Sequence, residues 1–216
     1  MGTHTGDPGY VPAADANRDG AIARHDADLL YAGFGFAANR PPVTQDSAAM
    51  THTDLELRWA MTSLAADAEG DTVVFQVTGA THGTANLSAD GTTVIFLPEP
   101  GYSGTASFSY VASDGYGASA PATLTVTVSD APLIALDITT RRPRIDVGQG
   151  VTLLAVGDFA DQAGVWLPPS YLAFTSHDPA VASVSSEGVL LGLTAGSGAV
   201  SITARGLAAT TAFLVG

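Results

Sequence analysis

From Val43 onward the chain is a succession of short apolar runs, interleaved with polar residues and broken by Gly, Asp and Pro at intervals of about eight to twelve residues. Alternation with a period of two puts one set of side chains on each face of an extended backbone, so these runs suit half-buried strands and not helices. They form two series. The first comprises DTVVFQV (71–77), GTANLS (83–88), TTVIFLP (92–98), GTASFSYVA (104–112) and PATLTVTVSD (121–130). The pattern restarts after Ala131 with LIALDITT (133–140), GVTLLAVGD (150–158), YLAFTS (171–176), AVASVS (180–185), GVLLGLT (188–194), GAVSITARG (198–206) and TTAFLVG (210–216). Each series fills roughly 85 to 90 residues, the size of a single immunoglobulin-type sandwich. The 24 glycines and 12 prolines supply the turns, and a 46% apolar content is enough for real cores.

The N-terminal stretch is different. RHDADLLYAGFG (24–35) has the one helix-like pattern, in which Leu29, Leu30, Phe34 and Phe36 make an apolar face and Gly33 and Gly35 end the run. AANRPPV (37–43) is a joint stiffened by two prolines, which cannot continue a helix. The expected organisation is therefore three modules, residues 1–40, 41–130 and 131–216. The fold class expected is mainly β, two immunoglobulin/cadherin-like β-sandwiches in tandem behind a small calcium-loop-plus-helix module.

The calcium expectation comes from DANRDGAIARHD (15–26). Calcium takes six to eight oxygens, and an EF-hand-type loop supplies them from positions 1, 3, 5, 7, 9 and 12 with glycine at 6 for the sharp turn. Those positions are Asp15, Asn17, Asp19, Ala21 through its carbonyl, Ala23 through a water, and Asp26, with Gly20 at the turn. Ile22 is the apolar residue that normally pairs with a sister loop. A lone loop and helix cannot bury Ile22 and the helix face within itself, so that face is expected to pack on Tyr10 and Val11 or on the first sandwich.

Charge fits this reading. There are 21 acids against 8 basic residues, all of them arginine, for a net charge of -13. Phosphate neutralisation needs clustered Lys and Arg, so a nucleic-acid partner is excluded. No apolar run approaches the roughly 18 residues of a membrane helix, and MGTHTG shows neither region of a signal peptide. Cysteine is absent, which suits a cytosolic protein and equally a bacterial secreted protein stabilised by metals rather than disulfides. The chain is expected to be a monomeric segment of a larger protein.

Asp15, Asn17, Asp19 and Asp26, followed by ADLLYAGFG, resemble a dockerin-type repeat, the calcium loop and helix of bacterial extracellular proteins. That likeness implies calcium ligation by these residues. A full dockerin pairs two such repeats to bind a cohesin domain, whereas one loop is present here. Residues 39–130 resemble the bacterial cadherin-like repeat of large surface proteins. There the likeness implies a second calcium site from Asn39, Asp67 with Glu69, and Asp114, with Asp71 as an added ligand, the alternative being solvated turn acids. YLAFTSHDPAVASVSSEGVLLGLTAGSGAVSITARG (171–206) looks like the group 2 bacterial immunoglobulin-like domain, with Phe174 where that family usually has tryptophan. Together these likenesses imply a bacterial extracellular or cell-surface location, with a protein or glycan as the partner there.

Catalysis is not expected. The histidines, His4, His25, His52, His82 and His177, have no pair at metal-ligand spacing. In TSHDP, neighbours Ser176, His177 and Asp178 would point to opposite faces of a strand and form no relay. Trp59, Trp166 and Tyr171 could stack on sugars, or they could be packing residues.

Overall fold

The computed structural model describes residues 3–33 and 39–216. The contacts divide the chain into two compact units, residues 1–40 and 41–216. Among the described residues no helix is long and apolar enough to cross a membrane.

In the N-terminal unit the helix Arg24–Ala32 follows the acidic loop, and the short strand Ala21–Ile22 pairs antiparallel with Thr3–His4. Thr3 faces Ile22 in that register, so residues upstream of the loop supply the strand partner that a sister loop would otherwise provide. Tyr10 is tied to the loop by its hydroxyl, but Val11 and Leu29 are each about half exposed. The expected burial of the helix face is therefore not met at Leu29. Phe34 and Phe36, and the side chain of Leu30, lie outside the described residues.

The larger unit is β apart from two short 3-10 turns, Met61–Ser63 and Pro169–Tyr171. The first sandwich packs a four-stranded sheet, ordered Ser47–His52, Ala122–Ser129, Gly104–Ser113 and Val74–Thr81, against a three-stranded one of Leu57–Ala60, Thr93–Pro98 and Gly83–Leu87. Alternation shows why. Along Ala122–Ser129 the buried residues are Ala122, Leu124, Val126 and Val128, and along Gly104–Ser113 they are Ala106, Phe108, Tyr110 and Ala112. These side chains meet Val94, Phe96, Met61 and Leu64 in one core. Tyr110 is fully buried, and its hydroxyl donates to the Gln45 carbonyl at 2.5 Å, which fixes the chain where it enters the sandwich.

Several strands fall outside the runs read from the sequence, two of them in the main sheets of the first sandwich. Ser47–His52 (SAAMTH) pairs parallel with Ala122–Ser129, and Leu57–Ala60 (LRWA) pairs antiparallel with Thr93–Pro98. Both are edge strands, so each has a neighbour on one side only and needs less apolar character.

The second sandwich is assembled from three sheets. Arg144–Ile145, Leu207–Val215, Gly196–Ala204 and Ala173–Ser176 form one of four strands. Leu133–Ile138 with Ala155–Phe159 and Val165–Leu167, and Gly150–Thr152 with Val189–Gly192 and Ala182–Val184, form two of three. The run GVTLLAVGD therefore splits between two sheets, with the buried Leu153 at the break. Phe174 packs against both hydrophobic clusters of this sandwich, which is the bridging position expected of a large aromatic there. One cluster also takes in Leu55 from the first sandwich, so the cores meet across the joint.

Candidate functional site

The acidic loop is built around two carboxylates. Asp15 is 6% exposed and Asp26 is 1% exposed, although one sits in the loop and the other in the first turn of the helix of the smaller unit. Asp15 accepts from the backbone N–H of Asp19 at 3.1 Å, from that of Gly20 at 2.9 Å and from the Tyr10 hydroxyl at 2.6 Å. Gly20 takes a φ of +85°, which a residue with a side chain rarely adopts, and this turns its N–H toward Asp15. The Tyr10 hydroxyl, followed by the N–H donors, holds the Asp15 carboxyl below its ordinary range, and the same bond raises the Tyr10 hydroxyl above its own.

Asp26 closes the loop. One carboxylate oxygen accepts from the N–H groups of Ala16 and Asn17, at 2.9 and 3.3 Å, and the other from that of Ala23 at 2.7 Å. Asp26 stands in the first turn of the helix and reaches back to the N–H of the residue before it, as the acid of a capping box does. Its carboxyl is held below the ordinary range by the Ala23 N–H first and then by those of Asn17 and Ala16. Asp19 accepts from the Ala21 N–H and from the Asn17 side-chain amide, and Asn17 accepts from the Asp19 N–H.

This donor set is compatible with calcium by its chemistry, since Asp15, Asn17, Asp19 and Asp26 offer only hard amide and carboxylate oxygens and Ala21 a carbonyl. A carboxylate has about four lone-pair directions. Asp15 and Asp26 each use three on N–H or O–H donors, which leaves capacity for a further ligand bond. As the side chains lie, however, no three His, Asp or Glu groups among the described residues meet in a metal-holding cluster.

The second set of acids occupies turns. Asp67 accepts from the N–H groups of Glu69 and Asp71, each at 3.0 Å, and Asp114 from those of Tyr116 and Gly117 at 2.7 and 2.6 Å. Those are the contacts of acids that shape their own turns. Asp67 and Asp71 also line a cavity of about 430 Å³ with Thr62, Phe75 and Thr92, and the second oxygen of Asp67 is buried without a hydrogen-bond partner. Asn39 falls in the N-terminal unit.

The remaining candidates resolve into packing. His177 bonds Ser201, Asp178 accepts from the Ala199 N–H, and Ser176 donates to the Ala182 carbonyl, so TSHDP serves three separate partners. Trp59 packs against the first core, Tyr171 against the second, and Trp166 lies beneath the Arg58 guanidinium at 5.7 Å. His52 is the functional-looking residue whose setting the sequence conceals. It is 1% exposed, stacks on Phe159 at 3.6 Å and donates through Nε2 to Asp161 at 2.9 Å. SAAMTH has no pattern that announces a buried histidine.

Tandem sandwiches of this kind define a β module of the immunoglobulin-like class. Residues 39–127 match the family described as "Bacterial Ig domain", and that stretch is an immunoglobulin-like domain. The chain is 34% identical over 82 residues to Ice-binding protein 1 of Shewanella frigidimarina (strain NCIMB 400), a match covering 38% of this chain and 9% of that protein. Among solved structures it is similar to the S-layer protein rSbsC(31-844), with TM-score 0.36 and 17% identity over 70% of this chain and 22% of that one. It is also similar to human protocadherin-24 EC1-2, with TM-score 0.35 and 14% identity over 83% of this chain and 99% of that one. A third likeness, to the endo-fucoidan hydrolase MfFcnA4, has TM-score 0.34 and 15% identity over 84% of this chain and 29% of that one.

Proposed function

We propose that the chain is a non-enzymatic structural segment of a larger bacterial extracellular or cell-surface protein, in which the sandwiches act as spacers and the N-terminal loop binds calcium. Asp15, Asn17, Asp19 and Asp26 hold the ion with the Ala21 carbonyl, and calcium offsets the repulsion among three acids in one short loop. The observation that carries the reading is the burial of Asp15 and Asp26 together, 6% and 1% exposed, each with acceptor capacity to spare. Two carboxylates are costly to bury side by side unless a cation or strong donors compensate. The immunoglobulin-like match over residues 39–127 supports the spacer role. Asp67 and Asp71, in their shared cavity, form the nucleus of a second, weaker calcium site to which Glu69 and Asp114 contribute only if the turns rearrange.

A second reading is recognition. Val11 and Leu29, 53% and 51% exposed on the N-terminal unit, offer apolar surface to a cohesin-type protein partner. Calorimetric titration of the whole chain with calcium tests the first reading. Binding heat that disappears in Asp15→Ala supports it, and the absence of any calcium heat rules it out.

A further inference from the structure

The sandwiches are joined by three residues, Asp130–Pro132, between the strands Ala122–Ser129 and Leu133–Ile138. So short a linker, with a proline in it, already limits the angles available. Side chains then cross the joint in both directions. Asp161 of the second sandwich accepts from His52 Nε2 at 2.9 Å and from the Ser129 hydroxyl at 2.5 Å, both of the first. Asp54 of the first sandwich accepts from Arg205 of the second, and Arg205 also reaches the Thr53 carbonyl at 3.5 Å. Each sandwich thus gives one carboxylate and receives the other.

Apolar contacts fill the space between these two links. Leu55, 2% exposed, enters the second sandwich's core, and His52 stacks flat on Phe159 with 15° between the rings. At a third point Arg58 of the first sandwich lies over the Trp166 ring of the second. Contacts spread over separate points resist rotation about any single axis. Both oxygens of Asp161 and one of Asp54 are engaged by the neighbouring sandwich, while the other Asp54 oxygen accepts from the Gly101 N–H of its own, so side chains tie the joint from both sides.

We infer that Asp161 and Asp54 form a reciprocal latch that makes residues 41–216 one rigid body, whose angle is set by side chains and does not depend on calcium. This goes beyond the calcium reading of the N-terminal loop and stands if that reading fails. The test is ¹⁵N relaxation of the full chain, comparing amides of residues 43–129 with those of residues 133–215, in calcium and in chelator. The wild type is expected to give one common tumbling time for both sets in both conditions. Separate times in either condition would overturn the inference. In the double variant Asp54→Asn, Asp161→Asn, the common time should be lost and two shorter ones appear. Asparagine keeps the size of each side chain and suits the left-handed backbone of Asp54, and unchanged amide shifts at Phe108 and Ile202 would show both cores intact. A double variant that still tumbles as one body would also overturn it, because packing alone would then hold the joint.

Discussion

Arg205 and Asp54 pair across the joint from two turns that both place a non-glycine residue in the left-handed region, with φ of 49° and 62°. Arg205 occupies the two-residue turn between Gly196–Ala204 and Leu207–Val215, followed by Gly206, the arrangement that type I′ hairpins favour. The turn geometry thus aims the guanidinium outward at its partner, where it also lies over the Tyr171 ring at 5.5 Å. Arg205→Ala should cost up to about 1 kcal/mol from the lost, partly exposed ion pair, since arginine and alanine bear the same left-handed strain. Arg205→Gly should cost less than Arg205→Ala, since glycine removes the strain. Chemical denaturation of the three proteins checks the order.

Acid should loosen the joint. The Ser129 hydroxyl, then His52, hold the Asp161 carboxyl below its ordinary value, and the Gly101 N–H, then Arg205, do the same for Asp54. A depressed folded-state pKa contributes stability that is present above the unfolded value and is lost as pH falls through the folded one. Thermal unfolding followed from pH 7 downward should therefore lose stability through and below the ordinary carboxylate range. The curve for Asp54→Asn, Asp161→Asn should be flatter there. Parallel curves would mean that these two acids do not contribute.

Calcium removal should act locally. Extracellular calcium modules bind at about 0.1 to 1 mM, and about 10 mM calcium over a 0.1 mM site adds roughly 2.7 kcal/mol to the state that binds it. Hydrogen exchange should accelerate over residues 15–32 in chelator and stay unchanged over residues 133–215. Asp15→Ala or Asp19→Ala should reproduce the local effect. Equal sensitivity along the whole chain would contradict it.

Tyr110→Phe tests one buried hydroxyl. The change leaves the ring in the first core and removes the donor shared by the Gln45 and Leu64 carbonyls, at a cost of about 1 to 2 kcal/mol. Gly83→Ala should be worse for a different reason. A Cβ there would stand 2.5 Å from the Phe96 ring and 2.6 Å from the Leu97 carbonyl oxygen, and the backbone oxygen has little room to yield. Overpacking of that kind costs about 1 to 3 kcal/mol. Urea unfolding of both variants measures the difference.

The sequence by itself determined the β class, most strand positions and the acidic loop, because each is written in neighbouring residues. ATLTVTVS alternates, and its strand buries every second residue as alternation requires. DANRDG carries its own turn, since Gly20 and the Asp and Asn side chains bond N–H groups a few residues away. Tertiary structure alone decided what lies far apart in the chain. SAAMTH became a strand because Ala122–Ser129 offered it a free edge, and the parallel register then buried His52 against Phe159. Trp166, expected as a sugar platform or a core residue, lies under Arg58, a residue more than a hundred positions earlier. Asp67 and Asp114, which family likeness groups around an ion, each bond the N–H groups of their own turns. Periodicity reports which face of an element is apolar, and partners across a joint are selected by pairing and shape complementarity, which no local pattern encodes.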